Sequence, residues 1–70
     1  MTPTVIRHAQ RGNTILQVIT YDDKGRLCAV FQEYTFHPDT GRTVLNISQP
    51  YMGEHGAILE WQSHLYKVAV

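Results

Sequence analysis

Apolar-rich, β-type runs occupy residues 4–9, 14–21, 26–36 and 42–48, and turn chemistry separates each run from the next. Gln10-Arg11-Gly12-Asn13 divides the first pair, and Asp22-Asp23-Lys24-Gly25 the second. His37-Pro38-Asp39-Thr40-Gly41 divides the third. Glycine supplies the positive φ of a tight turn, aspartate bonds its own backbone, and proline cannot donate to a ladder. The spacing predicts four antiparallel strands joined by short hairpins.

The faces of these strands differ. In the second run Ile15, Gln17, Ile19 and Tyr21 alternate with Thr14, Leu16, Val18 and Thr20, so both sides carry large apolar groups. The third run places Leu27, Ala29 and Phe31 on one side and Cys28, Val30, Tyr34 and Phe36 on the other, as in a central strand covered on both faces. In the fourth, Thr43, Leu45 and Ile47 oppose Val44, Asn46 and Ser48, which reads as a one-sided edge strand. Pro50 ends it, and residues 49–56 read as the longest irregular segment.

Residues 57–70 fit a helix better than a strand. Glu60, Ser63, His64 and Lys67 fall on one arc, while Ile58, Leu59, Trp61, Leu65, Tyr66, Val68 and Ala69 fill most of the rest. The expected fold is therefore α+β, a single domain over 1–70 with a four-stranded antiparallel meander followed by a C-terminal helix. The alternative is all-β, with the last segment as the fifth strand of a small barrel. Tyr21-Asp22-Asp23-Lys24-Gly25-Arg26-Leu27 resembles the tyrosine–aspartate repeat of large β-cage shell proteins, and over that one turn the resemblance implies hairpin chemistry.

Seventy residues with 43% hydrophobic and 17% charged content describe a globular chain whose small core calls for a disulfide, a metal or a partner. The single Cys28 cannot form an internal disulfide, and in its apolar run it reads as a small core hydrophobe in a reducing compartment. One helix covers one sheet face, so the second apolar face calls for a second copy, and a homodimer is expected. No apolar run approaches a membrane span and the first residues lack a signal-peptide core, so the expected location is cytoplasmic.

Six basic and six acidic side chains cancel, which weakens the case for a protein that grips nucleic acid through phosphates. His8, His37, His55 and His64 are numerous, yet no pair has metal-ligand spacing, so neither a metal nor another cofactor is expected. No nucleophile motif is present, and Asp22-Asp23 are explained as turn residues, which argues against an enzyme.

A meander puts the first and third turns at one end, where Arg11, Arg42 and His37 could meet an anion or an acidic partner. The other end carries Tyr51 and Met52, residue types enriched at contact surfaces. The expected function is a small intracellular accessory or regulatory protein that binds another, unidentified protein without catalysis. Its candidate contacts are Tyr51, Met52, Trp61, Tyr34 and Phe36. The second reading is a nucleic-acid-binding barrel with Tyr21, Tyr34 and Phe36 stacking on bases and Arg7, Arg26 and Arg42 on phosphates. A small-ligand binder or enzyme built around His8, His37 or His64 comes third.

Overall fold

Two tight turns set the register of the sheet. At the second, Lys24 and Gly25 both have positive φ (55° and 83°), the backbone of a type I′ hairpin, and the Asp22 carboxylate accepts the Gly25 N–H at 3.1 Å. At the first, Gly12 takes φ 58°. Described for residues 2–68 in a computed structural model, the chain forms β1 (Thr4–Arg11), β2 (Thr14–Asp23), β3 (Arg26–His37), β4 (Arg42–Ile47), β5 (Tyr51–Met52) and α1 (His55–Val68). The strands are antiparallel in the order β1-β2-β3-β4, with β5 also on β3. This is the α+β arrangement, an open sheet with a C-terminal helix, and the last segment is no fifth strand of a barrel. Ala69 and Val70, assigned to the helical segment from the sequence, lie outside the described residues.

The first and third turns share one end of the sheet, where the Phe36 N–H bonds the Asn13 carbonyl at 2.9 Å. The β2–β3 turn and β5 share the other.

Residues 49–56 are more ordered than their Pro and Gly content implies. β5 continues the line of β4 along β3, so the two form one edge strand interrupted at Ser48-Gln49-Pro50. Serine bridges the gap. The Ser48 N–H donates to the Phe31 carbonyl at 2.8 Å, and the Phe31 N–H donates to Ser48 Oγ at 2.9 Å where a strand would offer a carbonyl. Gly53 resumes the ladder on the Leu27 carbonyl at 2.8 Å. Phe31 is only 4% exposed, so Ser48→Ala strands a buried donor. The expected loss is about 1–2 kcal/mol in urea-induced unfolding, and an unchanged midpoint would refute this role for the hydroxyl.

α1 lies on the face that carries Leu16, Val18 and Thr20 from β2 and Ala29 and Phe31 from β3, all buried. Val18, Ala29 and Ala57 form the centre of the core, flanked by Ile6, Tyr51, Ile58 and Trp61. A bulge in β1 between Val5 and Arg7 turns Ile6 toward this core. The helix packs on β1, β2, β3 and β5 but not on β4. Two sequence expectations change as a result. β4 is exposed on both faces, not one, because the helix stops short of it. Leu59 and Tyr66, placed on the apolar arc, are exposed, whereas Glu60 and His64 from the polar arc turn partly inward. Among the described residues no helix is long and apolar enough to cross a membrane.

Candidate functional site

Directly paired residues in an antiparallel sheet share a face, so the register defines the side that α1 leaves uncovered. One row runs Gln10, Ile15, Tyr34 and Leu45 across β1 to β4. The next runs His8, Gln17, Gln32 and Ile47, and a third Val5, Ile19 and Val30. Tyr21, Cys28 and Met52 follow toward the β2–β3 turn, and Phe36 lies beyond Tyr34 at the other end. Val5, Phe36, Leu45, Ile47 and Met52 are each between 45% and 76% exposed, so the apolar groups are spread over the face. Cys28 is a buried free thiol.

One polar row crosses this apolar face. Gln32 Nε2 donates to Gln17 Oε1 at 2.8 Å, and Gln17 Nε2 donates to His8 Nδ1 at 3.0 Å. The chain of bonds has one direction, which assigns the His8 proton to Nε2. Satisfied internally, the amides spare the face most of the cost of burying polar groups. Charged residues are confined to its end, where Arg26 pairs across from Asp23. A face of this kind suits an uncharged protein surface.

The sequence-derived contact residues divide between the two sides. Tyr34, Phe36 and Met52 lie on the uncovered face. Tyr51 and Trp61 lie between the helix and the sheet: Trp61 Nε1 of α1 donates to the Leu16 carbonyl at 3.0 Å, and the Tyr51 hydroxyl donates to Glu60 Oε1. That bond, burial and the negative charge of Glu60 together raise the Tyr51 pKa above its ordinary value. Among the anion candidates, His37 and Arg42 are cross-strand partners, but Arg11 belongs to β1, two strand spacings from the strand of His37 and three, about 14 Å, from that of Arg42. Arg11 instead borders a hollow of about 460 Å³ with Trp61, Gln62, Leu65 and Tyr66.

A second feature escaped the sequence reading. Because α1 stops short of β4, a cleft of about 260 Å³ opens between them, lined by Phe31, Glu33, Asn46, Ile47, Ser48, Glu60 and His64. The His64 ring lies 4.7 Å from that of Phe31, and its Nδ1 donates to the Glu60 carbonyl at 3.0 Å. The cleft brings two carboxylates together beside the uncovered strand. Among the described residues no group of three or more His, Cys, Asp or Glu side chains is placed to hold a metal ion.

No family model, curated protein or solved structure matches the chain.

Proposed function

We propose that this chain is a non-catalytic accessory protein that works as a homodimer and binds another protein through its uncovered sheet face. The observation that supports the reading is the largely apolar uncovered face, uncharged except at one end, with its polar row already hydrogen-bonded. The fitting partner is a protein surface that is itself apolar and uncharged over the contact. A four-stranded face about 25 Å long offers roughly 500 Å² per copy, below the roughly 800 Å² per partner of a standard interface. Two copies side by side reach that size.

Ile19→Lys places a cation in the middle of the face, whereas Leu59→Lys places one on the outer side of the helix. In native extract, the wild-type chain and Leu59→Lys are expected to retain a protein partner through a high-salt wash, and Ile19→Lys to lose it. Retention by Ile19→Lys at unchanged fold, judged by circular dichroism, would remove the face from the reading.

Nucleic-acid binding has one observation in its favour. Tyr21, Tyr34 and Phe36 share the uncovered face, as a stacking platform requires. Of the proposed phosphate contacts, however, only Arg26 shares it: Arg7 stands opposite Val18 on the covered side, and Arg42 follows the parity of Val44 and Asn46. A mobility shift with a fluorescent single-stranded oligonucleotide, weakening steeply with salt, would favour this alternative.

A further inference from the structure

The two edges of the sheet are unequal. β1 is bulged and carries Arg7 and Arg11, whose guanidinium groups donate to the carbonyls of Ile6 at 2.9 Å and Gln10 at 3.0 Å. Bulges and cations are devices that blunt an edge against further pairing. β4 has neither a bulge nor a proline, and its only charge is Arg42 at its start.

The direction of the β4 backbone follows from Ser48, whose N–H bonds the Phe31 carbonyl. Alternation along an antiparallel ladder then points the backbone groups of Asn46 and Val44 toward β3 and those of Thr43, Leu45 and Ile47 outward. Three residues thus offer a row of N–H and C=O groups on an uncovered edge. From this edge and the acidic cleft beside it, we propose that the homodimer forms by antiparallel pairing of β4 with β4 of a second copy, and that each copy's Arg42 enters the other's cleft.

A two-fold axis at Leu45 pairs the greatest length of β4. It sets Thr43 opposite the partner's Ile47, and Arg42 opposite the partner's Ser48. Arg42 shares the helix-side parity of Val44 and Asn46, so its side chain leaves β4 on the side where Ser48 lines the cleft. There it meets Glu33 and Glu60, the charge complement of a guanidinium. The helix does not pack on β4, which leaves room for the added strands. An axis perpendicular to the sheet keeps both helices on one side and joins the two uncovered faces on the other. The inference rests on the homodimer reading and names its interface.

The test is sedimentation velocity over a concentration series, on the wild-type chain and variants checked for fold by circular dichroism. Leu45→Pro removes an outward N–H without touching the β3 ladder and is expected to weaken dimerisation about a hundredfold. Arg42→Glu is expected to weaken it at least about tenfold, and Glu33→Arg in the same chain to restore it by exchanging the charges. Ile19→Lys is expected to remain dimeric while losing the partner protein, which separates failure of the interface from failure of the face. A monomeric wild-type chain at about 100 μM, against dissociation constants near 1 μM for modest interfaces, would overturn the inference. A dimer unaffected by Leu45→Pro and Arg42→Glu, or one dissociated by Ile19→Lys, would overturn it equally.

Discussion

Gly56→Ala is expected to lower the unfolding free energy by about 2 kcal/mol, although alanine is the better helix former by about 1 kcal/mol. The sign reverses because of one neighbour. A Cβ at Gly56 would meet the ring of Tyr51, with Cε1 at 2.9 Å, Cγ at 3.2 Å and Cδ1 closer still. Those atoms include the base of the ring, and the hydroxyl at its far end is bonded to Glu60, so the ring cannot swing aside freely. Either the first helical turn lifts from the sheet or Tyr51 leaves the core. Urea denaturation followed by Trp61 fluorescence measures the loss. Adding Tyr51→Ala should make the cost of Gly56→Ala vanish, a non-additivity that identifies the ring as the obstacle. An alanine variant as stable as the wild type would show that the helix does not seat so closely.

Trp61→Ala is expected to cost about 3 kcal/mol, the scale on which removal of a core aromatic falls. The indole flanks the centre of the core and bonds the Leu16 carbonyl, joining α1 to β2 across 45 positions of sequence. Trp61→Phe keeps most of the packing and drops only the bond, so a loss of about 1 kcal/mol is expected. Trp61 is the only tryptophan, so these variants are followed by circular dichroism. A phenylalanine variant as weak as the alanine variant would assign the effect to the hydrogen bond, and two wild-type midpoints would detach Trp61 from the core.

The strands and their hairpins were legible because their signals are local. Gly12, Asp22 and Gly25 act within a few residues, and alternation then sorts each strand into two faces. His8 and Gln17 are equally distant from the first turn, and Gln17 and Gln32 from the second, so the polar row across the sheet was recoverable by counting outward from the turns. β5 was illegible because Pro50 and Gly53 speak for a loop, while pairing with Cys28 and Ala29 is decided by β3. Periodicity also could not orient the helix: it grouped Tyr66 with the apolar arc and Glu60 with the polar one. Tertiary contacts set Glu60 against the Tyr51 hydroxyl and leave Tyr66 84% exposed. The cleft needed the distance between helix and β4, which no local pattern encodes.

Each strand of the meander folds back directly onto the one before it, whereas the helix must return over β3 to reach Leu16 on β2. Loop-closure entropy grows with the length enclosed, so hairpin closure costs less than helix docking. The assembly order implied by this geometry is sheet first and helix last. During that interval the sheet has two bare sides and competes for its own helix with anything else apolar. A nascent chain would thus meet other proteins with its future core still open until α1 docks over Val18 and Ala29.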